Sequence, residues 1–471
     1  MQDLSGERSD AARSGEMVEQ PRLTTRIKVG WAIGELAIAG YIGLQMAFML
    51  FFCTDVLAIP PALAGVALLV PRLLDAFCDP LMGAISDRTR SRLGRRRFYL
   101  LIGAPLLAVS FASVFFVDPD LPMALRVAVL MLLFFASNLA VTVYEVPYSA
   151  MAAEMTTDYR QRINLTGYKM MAARAGIIMA LFVGPLIFRS RGDLAEGFQL
   201  LGVATGGFIL VTGWWAFFAT RDAPRIDSVV HRFSLAAEYR AIAGNKPFRT
   251  LWLVFLFQNL AIGASATTLI YFIIYVMGLD AQVAGPFLAV GGIAAAVATP
   301  AWIYIARGLG KRRAYFVGLG AAAVLAAMIA FVSPGMAPVL FVLLALAGAV
   351  DAGNQLAPNA MVPDTVEVDE VRTGERREGA LFGAWGFCRK LGMTLGAFLV
   401  SLGLAAVDFQ QGVGAALQPA EAISGIRFIY AGLPCGLWIA AMIVLTRYDL
   451  TEAKFSAIKA ELLGRRAAES A

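Results

Sequence analysis

Twelve blocks of mostly apolar residues dominate the chain, near 29 to 53, 62 to 86, 97 to 117, 122 to 153, 165 to 188, 197 to 219, 250 to 277, 283 to 306, 312 to 332, 337 to 363, 379 to 407 and 422 to 446. A helix needs roughly 20 such residues to cross the hydrocarbon of a bilayer. With 59% hydrophobic and only 16% charged residues in 471, the pattern defines a polytopic membrane protein. Transmembrane β-barrels would show strictly alternating segments of about 10 residues, whereas runs such as "FVLLALAGAV" do not alternate. The expected fold is an all-α membrane protein of twelve transmembrane helices.

The formal net charge of +6 does not point to nucleic acid, because lysine and arginine in short loops orient membrane helices. The loops after even-numbered helices carry Arg88, Arg90, Arg92 and Arg95 to Arg97, then Arg221, Arg225, Arg232, Arg240, Lys246 and Arg249, then Arg307, Lys311, Arg312 and Arg313. The turns "TDVLAIPP", "DPDLP", "GLDAQ" and "SPGMAP" hold none, and the loop with Arg189 and Arg191 is the exception. Both termini are therefore expected in the cytoplasm, with the helices in the plasma membrane, the inner membrane of a bacterium. The first 27 residues are polar and lack a hydrophobic stretch, which reads as a disordered cytoplasmic tail and not as a signal peptide.

Cys53, Cys78, Cys388 and Cys435 fall in the apolar blocks without CxxC spacing, so neither a disulfide framework nor a cysteine metal site is indicated. His231, the only histidine, sits in a polar loop and is given no role. Two basic turns resemble each other, "LGRRRFYLLIG" from Leu93 before the third helix and "LGKRRAYFVGLG" from Leu309 before the ninth. A polar link with a short piece "SLAAEYRAIAG", read as lying on the membrane surface, separates them. The organisation read from this is a cytoplasmic tail (1–27), a six-helix bundle (28–219), a cytoplasmic central loop (220–249), a second six-helix bundle (250–446) and a cytoplasmic tail (447–471). Such duplicated bundles characterise secondary transporters whose solute site lies between the halves.

Charge inside an apolar helix costs about 2.5–3.5 kcal/mol on insertion scales and marks a cavity or a partner. The second helix carries Arg72, Asp75 and Asp79, spaced i, i+3, i+7 on one face. Carboxylates one turn apart repel, so they require a shared proton, a bound cation or a basic neighbour. Pro80 withholds a helical hydrogen bond from the carbonyl of Ala76, and Pro147 from that of Val143. Thr142 and Glu145 share a face of the fourth helix, and Lys390 lies deep in the eleventh. A lysine there is reasonable beside Asp75 and Asp79, so a contact across the halves is expected. Glu35 on the first helix, Arg174 on the fifth and Asp351 on the tenth read as charges able to snorkel toward the interface.

The segments "RLLDAFCDPLMGAISDRTRSRLGRRR", "YEVPYSAMAAEMTTDYRQRINLTGYK", "TGERREGALFGAWGFCRKLG" and "RYDLTEAK" resemble the glycoside, pentoside and hexuronide cation symporters, over about Lys28 to Leu450. The resemblance implies a major facilitator fold, with Asp75 and Asp79 as cation-binding aspartates, Thr142 as a hydroxyl at the same site and Lys390 facing them. Arg72 and Cys78 border that set. Glu145 matches an acid that binds solute hydroxyls, and Lys169 stands where an arginine is usual. Ser149, Tyr148, Arg174 and Trp385 complete the candidate solute-lining residues. Asp87, Arg95 and Arg96 match an inner gate. Two departures stand out: Ala39 replaces a sugar-contacting aspartate and Ser149 replaces a stacking tryptophan, which argues against a galactoside-like solute. Cys78 replaces an asparagine, and sulfur is a poor ligand for a hard cation; protons are favoured over sodium, with Asp75 and Asp79 as the metal ligands if sodium is used.

The leading function is cation-coupled symport of a sugar, glycoside or related polar solute by a chain acting as a monomer, with H+ or Na+ as the coupling ion and no other cofactor. The alternatives are transport of a lysophospholipid-like lipid, since the family is similar to a vertebrate lysophosphatidylcholine transporter, and a non-transporting receptor or assembly factor. No nucleophile with a matching base and no phosphate-binding loop indicates an enzyme.

Overall fold

The structure, a computed structural model, describes residues 23–156, 158–224, 244–374, 377–450 and 454–462, apart from the side chains of 76, 77, 80, 153, 159, 160 and 282. The amino-terminal tail up to residue 22, His231, nearly all of "SLAAEYRAIAG" and the Pro80 ring with its Ala76 neighbour lie outside the described residues.

Twelve long α-helices follow one another: α1 (Thr25–Phe51), α2 (Pro61–Arg88), α3 (Arg97–Val114), α4 (Met123–Met155), α5 (Tyr159–Phe188), α6 (Leu194–Ala219), α7 (Lys246–Tyr271), α8 (Ala284–Leu309), α9 (Lys311–Ile329), α10 (Ala337–Thr373), α11 (Glu378–Ala406) and α12 (Ala420–Thr446). Eleven of them, with the short turns that extend α1 and α7, are long and apolar enough to cross a membrane; the remaining one, α2, has 28 residues. Helix ends follow local chemistry. Asn245 accepts a hydrogen bond from the Phe248 amide, closing the first turn of α7, and Asp193 accepts one from Ala195 at the start of α6, satisfying amides that have no intrahelical partner. Gly374, with φ +74°, ends α10, a conformation glycine adopts without steric cost. The helix of α10 continues ten residues past the expected end at 363, through Pro358 and Pro363.

The two halves repeat one packing scheme. In the first, α1 packs on α5 and α6, α4 on α2 and α3, and α3 on α6; in the second, α7 packs on α11 and α12, α10 on α8 and α9, and α9 on α12. Even a local irregularity recurs, because α1 and α7 both run into π-helical turns, Phe52–Val56 and Phe272–Val276. In each turn the following residue bonds back five positions, Leu57 to Phe52 and Met277 to Phe272.

Between the halves, α2 packs on α11, α5 on α8 and α1 on α7. Glycine allows the closest approaches, as a Cβ on Gly65 of α2 would fall 1.8 Å from the Ser401 hydroxyl of α11 and one on Gly285 of α8 would fall 2.6 Å from the Phe182 carbonyl of α5. Polar contacts gather at the end bearing the π-turns. The Tyr275 hydroxyl donates to Asp55, the hydroxyls of Thr54 and Tyr271 lie 2.7 Å apart, Thr267 donates to the Met46 carbonyl at 3.1 Å, and Arg189 lies 3.4 Å from Asp280. Toward the opposite end, which bears the basic loops, α2 and α5 expose large apolar residues such as Leu81, Ile163, Met170 and Met171.

Within the second half, α8 and α10 cross so tightly that a Cβ on Gly348 would come within 2.0 Å of the Gly291 carbonyl oxygen. Backbone cannot rotate away as a flexible side chain can, and overpacking costs about 1–3 kcal/mol. Gly348→Val is expected to lower the thermal midpoint of the detergent-solubilised protein by several degrees, whereas Gly207→Ala, where a Cβ meets nothing within 4 Å, leaves it near wild type.

Candidate functional site

Where α2 and α11 meet, four side chains from three helices converge. Asp75, only 4% exposed, and Asp79 lie one turn apart on α2. The Thr142 hydroxyl of α4 lies 2.7 Å from a carboxylate oxygen of Asp75 and 2.9 Å from one of Asp79. From the other half, the Lys390 ammonium reaches Asp79 at 2.5 Å and Asp75 at 3.9 Å. The contact expected across the halves is thus present. Lys390 also holds its own helix, since the Thr394 hydroxyl donates to its carbonyl.

The hydrogen count at Thr142 carries chemical meaning. A hydroxyl has one proton and two lone pairs, and an ionised carboxylate only accepts. One Thr142 proton serves two ionised carboxylates only as a shared, weakened bond. A single added proton on either acid completes the set, with one carboxyl donating to Thr142 and Thr142 donating to the other. The site thus brings together two acids, one lysine and one hydroxyl.

Two residues expected in this cluster sit elsewhere. Arg72 makes no hydrogen bond or ion pair among the described residues and lines a small cavity with Gln45, Phe134, Thr267 and Thr394. Helical side chains lean toward the helix N-terminus, so a long side chain at 72 extends away from the acids that follow it. Gln45, 4% exposed and with both amide atoms unpartnered, is a neighbour that the sequence did not single out. The Cys78 thiol turns to the Leu74 carbonyl of its own helix at 3.6 Å.

A second group of charges lies within the first half. Glu35 is buried at 8% exposure and 3.5 Å from the Lys169 ammonium, which itself donates to the Ser149 hydroxyl at 2.8 Å. Burial and pairing correct the snorkelling expected for Glu35. It lies four residues before Ala39, on the same face of α1, so an acid persists one turn from the place where the resemblance led us to find it missing. One Glu35 oxygen has no hydrogen-bond partner. Glu145 acts electrostatically on both Glu35 and Lys390 yet makes no hydrogen bond or ion pair among the described residues, leaving its carboxylate able to accept from a ligand.

Tyr148 and Trp385, expected among the solute-lining residues, are packed in aromatic stacks. Tyr148 is fully buried, donates to the Trp31 carbonyl at 2.9 Å and stacks on Trp31 and Tyr144; only its ring face, 5.4 Å from the Lys169 ammonium, meets the charged group. Trp385 stacks on Phe255 with centroids 3.8 Å apart and gives its N–H to Asn359. Both aromatics belong to the cores of their halves. Arg174 is exposed and makes no hydrogen bond or ion pair among the described residues. Asp87, Arg95 and Arg96 form a network within the first half, Arg96 to Asp87 at 2.9 Å and Arg95 to Glu154 at 2.5 Å. Glu154, which the sequence reading passed over, links the two arginines, lying 3.0 Å from Arg96.

Duplicated six-helix bundles meeting around an ion cluster define a membrane transporter of the major facilitator fold. A family model described as MFS/sugar transport protein matches residues 30–452, and the chain belongs to that family. It is 30% identical to an uncharacterized symporter, YnaJ, of Bacillus subtilis (strain 168), covering 93% of this chain and 94% of the relative. It is 29% identical to a glucuronide carrier protein homolog of Escherichia coli (strain K12), covering 94% and 97%, and 25% identical to an isoprimeverose transporter of Lactiplantibacillus pentosus, covering 94% and 93%. Among solved structures, a bacterial homolog of the human lysosomal transporter Spinster, in an inward-facing and unoccupied conformation, superposes with TM-score 0.68 at 15% identity over 91% of this chain and 98% of that one. A D-xylose–proton symporter superposes with TM-score 0.63 at 16% identity, covering 91% and 97%.

Removing Lys390 strands two acids in the interface. A fully buried pair broken on one side costs about 3–5 kcal/mol; with 36% of the Lys390 side chain exposed, Lys390→Ala should cost about 1–3 kcal/mol. Neutralising one acid removes the stranded charge, so Asp79→Asn added to Lys390→Ala is expected to recover part of the lost thermal stability. A deficit unchanged in the double variant would contradict the charge account.

Proposed function

We propose that the protein is a proton-coupled symporter of a hydroxyl-rich solute, a sugar, glycoside or sugar acid, with Asp75 and Asp79 carrying the proton. The observation that carries this reading is the Thr142, Asp75, Asp79 and Lys390 cluster spanning the two halves. The names of the relatives support the solute class, and the single-proton geometry at Thr142 favours a proton. Sodium would need the same carboxylate and hydroxyl oxygens while the Lys390 ammonium is already among them.

The positive-inside bias of the basic loops supports an orientation with their end of the bundle, and both termini, in the cytoplasm of a bacterial inner membrane. In that orientation the contacts of Asp55, Thr54 and Arg189 lie on the periplasmic side and hold the halves together there. One chain contains both halves and the whole cluster, so a single copy suffices. In the proposed cycle the acids hold Lys390 when no proton is bound. Protonation weakens that ion pair, and solute hydroxyls engage Glu145 and the Glu35–Lys169 pair. The halves then rock about the cluster, and release to the cytoplasm restores the Lys390 contact. Coupling follows because proton and solute each bind one state better than the other.

Uptake into proteoliposomes under an imposed proton or sodium gradient, with panels of neutral glycosides, glycuronides and lysophosphatidylcholine, tests the reading. Asp75→Asn and Asp79→Asn are expected to abolish gradient-driven accumulation. Equal accumulation in both variants and wild type would refute the assignment, a sodium dependence would replace the ion, and accumulation of the lysolipid alone would replace the solute class. Glu145→Gln is expected to weaken the accumulated glycoside about 10- to 100-fold, the range for hydrogen bonds to a charged group.

A further inference from the structure

The duplicated basic turns have diverged in their charge balance. In the first half, Arg95 pairs with Glu154 and Arg96 with Asp87. Counting from the shared Leu-Gly, the equivalents of Arg95, Arg96 and Arg97 are Lys311, Arg312 and Arg313, and the equivalent of Asp87 is Ile303. Lys311 keeps an acidic partner, Asp364 of α10, at 2.8 Å. Among the described residues Arg312 bonds only the Thr446 carbonyl at the end of α12, and Arg313 makes no hydrogen bond or ion pair. Among the described residues, one acid is therefore paired within a set of three cations.

The space around them differs as well. Lys311, Arg312 and Arg313 line an open cavity of about 1080 Å³ between the start of α9, the end of α12 and the short helix at 454–462. Its wall continues into Phe316 and Val317, exposed by 40% and 50% on the outer face of α9. Phe455 of the terminal helix closes the other side, its ring 5.8 Å from the Lys311 ammonium. Cations at the end of a membrane-spanning helix, next to an apolar stripe on that same helix, match a ligand with an anionic head and hydrocarbon tails.

We propose that this cavity binds the headgroup phosphate of an anionic phospholipid, with Arg312 and Arg313 as its charge partners and the acyl chains lying along Phe316 and Val317. Basic pockets between membrane helices recognise such headgroups, and each lysine or arginine near an anionic surface strengthens binding roughly fivefold. The first half differs, since Arg95 and Arg96 there are paired with Glu154 and Asp87. The site is independent of the solute and of the coupling ion, so it stands or falls separately from the transport reading.

Native mass spectrometry of the full chain in detergent, titrated with phosphatidylglycerol, cardiolipin or phosphatidylcholine, tests it. The wild type is expected to retain the two anionic lipids at concentrations where phosphatidylcholine is lost. Arg313→Gln, which leaves the Arg312 bond to Thr446 intact, should weaken retention about fivefold, and Arg312→Gln with Arg313→Gln roughly 30-fold. Should the double variant fail to fold, the Arg313→Gln titration decides alone. Retention unchanged in Arg313→Gln, or equal retention of phosphatidylcholine, would overturn the proposal. Inorganic phosphate that stabilises the wild type as strongly as the lipids do, and loses that effect in Arg313→Gln, would replace it with a free-phosphate site.

Discussion

Two carboxylates one helical turn apart inside a membrane protein need a positive charge, and among the described residues no cation of the first half forms an ion pair with them. Arg72 extends toward the other end of α2, and Lys169 is engaged with Glu35 and Ser149. The compensating ammonium is Lys390, from the opposite bundle. Neutralising the acids and holding the halves together are therefore one interaction. In the proposed cycle a competing positive charge on Asp75 and Asp79 loosens the interface at that same place, which would couple ion occupancy to rocking.

The repeat gives both bundles the same frame. Each half packs by the same scheme, and the contacts between them run along α2 with α11, α5 with α8 and α1 with α7. Small residues at these crossings, Gly65 and Gly285 among them, let backbones approach without interlocking side chains, a geometry common in membrane helices. The matching π-turns at the ends of α1 and α7 bring Thr54 and Asp55 against Tyr271 and Tyr275. That polar seam ties the halves together at one end. The halves differ in charge far more than in shape: the acids around the cluster, Glu35, Asp75, Asp79 and Glu145, come from the first six helices and Lys390 from the last six.

Much of this was legible in the sequence because hydrocarbon imposes simple rules. Apolar runs of spanning length placed all twelve helices, and the i, i+3, i+7 spacing put Asp75 and Asp79 on one face, so that a lysine deep in the eleventh helix became their natural partner. Direction and packing were harder to read. Arg72 shares that face, yet the lean of helical side chains toward the N-terminus carries it away. Tyr148 and Trp385 flank charged positions, yet their size suits them to aromatic stacks with Trp31 and Phe255. Glu35 looked able to snorkel because spacing alone does not reveal that Lys169 lies across from it, and Glu154 was missed because its partners are 58 and 59 residues away in sequence. The signal that could have found both acids is shared: a carboxylate near a helix end or at a helix crossing calls for a cation, and the basic turn at Arg95 and Arg96 offered two.

The most direct test of the central claim is a charge-neutral exchange in one molecule, Asp79→Asn together with Lys390→Met, assayed in proteoliposomes for solute exchange at equilibrium and for accumulation against a gradient. Removing both charges leaves the interface without an orphaned ion but also without the site where a proton and Lys390 compete. Exchange that persists while accumulation is lost is the predicted result. Accumulation at the wild-type level in that double variant would show that coupling resides elsewhere in the protein.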